Sequence, residues 1–166
     1  MEKILVFGAG GFIGTYLVDR LLESGYEVVA SDNNDICSEY YDSIGVDYVK
    51  LDITSQEEFS KVSNRQYSPV VNLAAMQPAN VSEKNYSSVD YIRINVLGTL
   101  NILNFCIQNG VKRFVSATSH RSTQGLWYQK KPIREEDGRS LKYSGQYSMF
   151  SISESAAQDC ILHYTE

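Results

Sequence analysis

Three glycines near the start of the chain, Gly8, Gly11 and Gly14, stand at a regular interval behind the uncharged run Ile4-Leu5-Val6-Phe7. Ile13, Leu17, Leu21 and Leu22 then recur at helical spacing. A buried strand that breaks into glycines and reopens as a helix presents free backbone N–H groups at the positive end of a helix dipole. That arrangement suits a pyrophosphate. The first glycine permits the tight turn, the middle one lets phosphates approach the backbone, and the last allows close helix–strand contact. The pattern is G-x-x-G-x-x-G; Ile13 stands where a strict G-x-G-x-x-G would place its last glycine. Asp32 follows Gly14 by 18 residues, near the interval at which a dinucleotide fingerprint places its ribose-binding acid. A carboxylate there repels a 2′-phosphate, and Asn33 and Asn34 bring no positive charge, so the expected cofactor is NAD rather than NADP. The structural alternative for Asp32 is a loop-capping side chain.

The elements that must position these groups alternate along the chain. Glu27–Ala30 reads as a second strand and the polar cluster from Ser31 to Asp35 as the loop after it. Asp47–Leu51 is a third strand, followed by Asp52-Ile53-Thr54, with Thr54 and Glu57 spaced as a capping box. Pro69–Ala75 is a fourth strand, followed by a polar loop, Met76–Asn85, that contains Gln77. Val89–Gln108 places Ile92, Val96, Leu100, Leu103 and Ile107 on one helical face and stops at Asn109-Gly110. Lys112–Ala117 is a fifth strand that opens into Thr118-Ser119-His120. An irregular stretch over 120–146 precedes a last helix that starts at Tyr147 or Ser148. Strict alternation of this kind implies an α/β fold: a doubly wound parallel sheet in three layers, α/β/α, forming one domain over 1–166. In such sheets ligands bind beyond the carboxyl ends of the strands, where Asp32, Asp52, Gln77 and Ser119 all fall.

The composition is that of an ordinary globular chain, 43% hydrophobic and 21% charged, with a net charge of −5. It has no basic stripe, which argues against a nucleic-acid partner. Cys37, Cys106 and Cys160 are odd in number and widely spaced, as expected for reduced thiols rather than a disulfide framework or a metal site. No apolar run is long enough for a signal peptide or a membrane span. The expected location is the cytoplasm, with no membrane partner.

Several segments together resemble the extended short-chain dehydrogenase/reductase family of nucleotide-sugar epimerases and dehydratases. These are Gly8-Ala9-Gly10-Gly11-Phe12-Ile13-Gly14, Asp52-Ile53, Asn72-Leu73-Ala74-Ala75 and Asn95-Val96-Leu97-Gly98-Thr99. The resemblance runs through all 166 residues and implies a Rossmann-type fold that binds NAD. It implies that Gly8, Gly11, Phe12, Ile13 and Gly14 surround the pyrophosphate and that Asp32, with Asn33, meets the adenosine ribose. Asp52 and Ile53 would flank the adenine, and Leu73, Ala74, Ala75 and Gln77 would line the nicotinamide ribose. Asn95 would brace the end of the fourth strand. A nucleotide-sugar substrate and a homodimer formed through the helices near 86–109 and 148–165 are implied as well. Ile152, Ala156 and Cys160 are read as the inner face of the second of those helices.

Two departures stand out. The family's chemistry uses a Ser or Thr after the fifth strand and a Tyr-x-x-x-Lys pair on the next helix. Ser119, or Thr118 beside it, fits the hydroxyl. The gap-free register of Phe150-Ser151-Ile152-Ser153-Glu154 puts Phe150 in place of the Tyr and Glu154 in place of the Lys. A phenol with an ordinary pKa of about 10 needs a nearby cation to exchange protons near neutrality, and neither replacement supplies one. A second register uses Tyr147, with His120 or Lys142 as helper. The readings left open are an epimerase/dehydratase-like cofactor domain without its Tyr/Lys machinery, a non-catalytic NAD-responsive binding or scaffolding protein, and an active enzyme working through Ser119 and Tyr147. The second departure is length: family members run to roughly twice this size, and the part expected to hold the sugar is not in this sequence.

Overall fold

In a computed structural model, which describes residues 2–80, 87–145 and 147–164, the chain divides into two compact units. One comprises Met1–Ala75 and Gly98–Ala117, the other Met76–Leu97 and Thr118–Glu166.

The first unit holds a five-stranded, all-parallel sheet in the order β3-β2-β1-β4-β5. The strands are β1 (Lys3–Phe7), β2 (Glu27–Asp32), β3 (Asp47–Lys50), β4 (Val70–Asn72) and β5 (Phe114–Ser116). The chain reverses its direction of travel across the sheet between β1 and β4, so the switch point lies beside the carboxyl end of β1. β1 is central because it is apolar on both faces: Ile4, Leu5, Val6 and Phe7 are all buried. The helix α1 (Phe12–Glu23) crosses from β1 to β2 and packs Leu17, Val18, Leu21 and Leu22 against Ile4, Val6, Val28 and Ala30. Gly25, at φ +84°, ends the turn after it, as its spacing predicts.

Several boundaries differ from the sequence reading. β2 extends to Asp32, so that residue ends a strand rather than sitting in a loop. The tyrosine-rich connector after it forms a short helix, α2 (Ser38–Ser43), which buries Tyr41 in the core. Thr54 and Glu57 form no capping box. A 3-10 helix instead starts at Gln56 with no side-chain cap, and Glu58 accepts the Asp52 N–H at 2.9 Å. β4 and β5 are shorter than predicted: β4 pairs with its neighbours only through Val70–Asn72, and β5 pairs only over Phe114–Ser116.

The helix predicted over Val89–Gln108 is present as a continuous run with three registers: α3 (Ser88–Tyr91), a π-helical segment (Ile92–Gly98) and α4 (Thr99–Gln108). It ends at Gly110, φ +65°. In the second unit, α5 (Ser148–His163) follows 3-10 turns at His120–Leu126 and Glu135–Asp137. The loop predicted over Met76–Asn85 contains a 3-10 turn at Pro78–Asn80; residues 81–85 of it lie outside the described residues, as do 86 and 165 at the predicted ends of the two helices. Among the described residues, no helix is long and apolar enough to cross a membrane.

Among the glycines of the first unit, Gly14 is the most crowded. A Cβ there would lie 2.2 Å from the Gly8 carbonyl oxygen and 2.7 Å from the Ala9 Cα, both backbone atoms. Gly14→Ala is therefore expected to lower stability by about 2–4 kcal/mol, because the helix must move away from the turn. Gly25→Ala meets nothing within 4 Å and is expected to cost only about 1 kcal/mol, through its positive φ. Urea denaturation of the two variants checks this contrast; equal losses would show that the helix–turn contact is not what Gly14 protects.

Candidate functional site

The glycine turn follows directly from β1. Gly8 adopts φ +77°, and a Cβ on it would strike the backbone of Leu73 and Ala74 at 2.6 and 2.5 Å. Only glycine allows the turn to lie so close to the end of β4. Gly11 is the N-cap of α1 and offers no side-chain hydrogen bond to it; the first helical turn contains no acid. The leading N–H groups of α1 have no intrahelical acceptor, and the surfaces of Phe12 and Ile13 above them are exposed. An uncapped, acid-free helix start behind a glycine turn is what a pyrophosphate requires, so these residues fit the expected dinucleotide.

Asp32, at the end of β2, is tied to this turn. Its Oδ2 accepts the Gly10 N–H at 2.9 Å, and its Oδ1 accepts from the Asn33 N–H and the Asn34 amide, each at 2.8 Å. Each carboxylate oxygen has acceptor capacity beyond a single bond, so Asp32 can serve both the turn and a hydroxyl brought to it. Asn33 is exposed and reaches this cluster through its backbone. Gly10 is a functional position that sequence reasoning missed. A Cβ on it would sit 3.1 Å from Asp32 Oδ2, and its place in the glycine run was the available signal. Tyr41 was missed too: its hydroxyl donates to the Ala9 carbonyl at 2.6 Å and holds the turn from the core side. Nothing in its tyrosine-rich surroundings distinguished it.

The other predicted cofactor residues of this unit sit at strand ends. Asp52 Oδ1 accepts the Thr54 N–H at 2.8 Å, which leaves the carboxylate partly exposed. Ile53 is buried, and its side chain occupies the space that a Cβ on Gly98 would need. Its carbonyl accepts from the Asn101 amide at 2.9 Å. Leu73 donates its N–H to Phe7 O at 2.9 Å and packs on the core. The Ala74 N–H is taken by Asn72 Oδ1 at 3.0 Å, and Ala75 is half-buried.

The second unit contains Gln77, Asn95, Ser119 and Tyr147. Gln77 is exposed. Asn95, expected to brace the end of the fourth strand, braces Met76 beyond it: its side chain accepts the Met76 N–H at 2.7 Å and donates to the Met76 carbonyl at 3.2 Å. It also donates to Ser153 Oγ at 2.9 Å. Ser119 Oγ accepts the Arg121 N–H at 3.2 Å. The helpers expected for Tyr147 make other contacts. The His120 ring stacks on Trp127, with centroids 5.2 Å apart and planes 6° apart, and Lys142 Nζ lies 3.4 Å from the Tyr128 hydroxyl. The cation over the Tyr147 ring is Arg121, whose guanidinium carbon is 4.3 Å from the ring centroid and 5.3 Å from that of Trp127. Arg121 thus connects Ser119 to Tyr147. Its spacing from Ser119 did not mark it in the sequence.

On α5, the buried face is not Ile152, Ala156 and Cys160, which are only half-buried. It is Phe150, Ser153, Glu154 and Ala157, with Ser151 and Ser155. This face is mostly polar, so hydrophobicity pointed to the wrong stripe. Phe150 meets the Tyr91 ring edge-on at 6.3 Å. Glu154 is 9% exposed, and burial pushes its carboxyl up to about 7. No described cation pairs with it. The described residues contain no group of His, Cys, Asp and Glu that could hold a metal ion, and all three cysteines are free thiols.

A sequence profile of the NAD dependent epimerase/dehydratase family matches residues 4–166. The chain is 32% identical over 129 residues to the bifunctional protein GAL10 of Candida maltosa, a match that covers 71% of this chain and 82% of that protein. It is 30% identical over 133 residues to the UDP-glucose 4-epimerase of Mus musculus, covering 72% of this chain and 38% of the mouse protein. Among solved structures, the UDP-glucose 4-epimerase of Thermus thermophilus in complex with NAD superposes with a TM-score of 0.83 at 27% identity. That match covers 98% of this chain and 50% of the other. The chain therefore spans about two fifths of the mouse relative and half of the Thermus chain.

Burial of Glu154 makes stability depend on pH. The unfolded carboxyl titrates near 4.5 and the folded one near 7, so between these values the folded chain binds more protons than the unfolded chain. The contribution is fully present below about pH 4.5 and is lost as pH rises through 7. Glu154→Gln is expected to stabilise the protein by about 3 kcal/mol at pH 8, with the gain shrinking to less than about 1 kcal/mol at pH 5. Urea melts at the two pH values measure it, and a gain that does not change with pH would mean that Glu154 is solvated.

Proposed function

Because this chain belongs to the NAD-dependent epimerase/dehydratase family, we propose that it is the cofactor-holding part of a nucleotide-sugar enzyme of that family. NAD is seated with its pyrophosphate at Gly8, Gly11, Phe12, Ile13 and Gly14 and its adenosine ribose at Asp32. The observation that carries this reading is the uncapped start of α1 behind a glycine turn whose Gly10 N–H is fixed by the Asp32 carboxylate. The chemistry that NAD supplies when bound is reversible hydride transfer at a sugar carbon. Asp52 and Ile53 serve the adenine side, and Leu73, Ala74, Ala75 and Gln77 the nicotinamide side.

In this reading the chain holds the cofactor without the Tyr/Lys proton exchange of its relatives. Phe150 has no proton to donate, and Glu154 is a buried acid, not a cation. The same two residues are what favour the second reading, a non-catalytic NAD-responsive binding or scaffolding protein. A third reading, in which Ser119 and Tyr147 form a working site, is favoured by Arg121, the cation over the phenol ring. A homodimer is part of the proposal. It is supported by the half-buried stripe Ile152, Ala156 and Cys160 on α5 and by exposed Val89, Ile92 and Leu97 on the run from α3 into the π segment.

Calorimetric titration with NAD is expected to show binding that Asp32→Ala weakens at least tenfold, from the loss of hydroxyl acceptors and of the Gly10 anchor. Absence of binding, or indifference to Asp32→Ala, would falsify the cofactor assignment. With UDP-glucose and UDP-galactose as substrates, no NAD-linked turnover is expected from the chain. Turnover that Tyr147→Phe abolishes would instead establish the Ser119/Tyr147 site. Light scattering is expected to give twice the chain mass of 18.7 kDa; a monomer mass would remove the dimer.

A further inference from the structure

The chain has seven arginines. Six of them, Arg20, Arg65, Arg93, Arg113, Arg134 and Arg139, form ion pairs with a described Asp or Glu. The seventh, Arg121, pairs with no described carboxylate, although it is more buried than Arg20 or Arg93, which do. Its guanidinium instead lies over two aromatic rings, Tyr147 at 4.3 Å and Trp127 at 5.3 Å. The surrounding 3-10 turn is held by its own hydrogen bonds. The Arg121 N–H is bound to Ser119 Oγ, the Ser122 hydroxyl donates to the Ser119 carbonyl at 2.8 Å, and the Trp127 indole N–H donates to Thr123 Oγ1 at 3.4 Å.

Aromatic contact uses the face of a guanidinium and leaves its in-plane N–H groups for acceptors. Partial removal from water strengthens a charge-assisted bond made there, and the planar fork matches two oxygens of one carboxylate or phosphate. An ion pair within the protein would have consumed that fork. From the lack of a described counter-charge, the aromatic seating and the hydrogen-bonded turn, we propose that Arg121 is an oxyanion-binding site, taking a carboxylate or phosphate group of a small-molecule ligand other than the dinucleotide. The ligand class follows from the fork: a sugar acid or a nucleoside diphosphate. The site lies within the second unit and does not rest on the dinucleotide reading, so its test is carried out without NAD.

Trp127 is the single tryptophan of the chain and reports from the site itself. D-glucuronate and UDP are titrated against Trp127 fluorescence, with glucose and uridine as uncharged controls and sodium chloride at matched ionic strength. A saturable change with glucuronate alone identifies a carboxylate as the ligand group, and one with UDP alone identifies the phosphates. In either case Arg121→Gln abolishes the change, and Arg121→Lys, which keeps the charge but not the fork, weakens binding about tenfold. The lysine variant keeps the test valid if Arg121→Gln does not fold. The proposal is overturned if neither anion gives a saturable response, if chloride or the uncharged controls reproduce it, or if Arg121→Lys binds as tightly as the native chain.

Discussion

The contact on which the rest of the first unit depends is between two stretches of backbone. Gly8 presses against the Leu73–Ala74 peptide at a distance that leaves no room for a Cβ, and beside it the Leu73 N–H is bonded to Phe7 O. This close approach fixes the turn after β1 against the end of β4, at the switch point of the sheet. Gly14 brings the start of α1 onto the same turn from the other side. With both approaches closed, the direction of the α1 axis is set, and with it the direction of the dipole that makes the turn attractive to an anion.

Buried amides complete the strand ends. Asn72 accepts the Ala74 N–H, Asn101 donates to the Ile53 carbonyl, and in the second unit Asn95 bonds both backbone groups of Met76. Backbone that leaves a strand loses its ladder partners, and a buried group without a partner is costly. An asparagine offers a donor and an acceptor from one side chain, which is why this residue type recurs where the chain turns out of the sheet.

The order of strands and helices was legible in the sequence because each element carries its own period: uninterrupted apolar runs for β1 and β4, helical spacing for α1 and α4, and glycines at the stops. What was not legible depends on tertiary placement. The segment holding Tyr41 has no helical hydrophobic pattern, yet the core accepts that side chain and a helix forms around it. On α5, hydrophobicity pointed to Ile152, Ala156 and Cys160, whereas Ser153 faces inward because Asn95 is there to meet it. At the candidate site, the glycine pattern and Asp32 could be read from spacing alone. Arg121 could not, since its significance lies in which rings it covers and in meeting no described acid.

The hydroxyl that Tyr41 lends to the Ala9 carbonyl has a consequence for acid–base behaviour. Burial, reinforced by the neighbouring Cys37 and Asp19, holds this phenol well above its ordinary value of 10. The donor therefore keeps its proton throughout the neutral range, and the support it gives the glycine turn does not change with pH there. The buried carboxyl of Glu154 titrates within that range. The unit that carries the glycine turn is thus propped by a proton that stays in place, while the unit that carries α5 gains a buried charge as the solution passes neutrality.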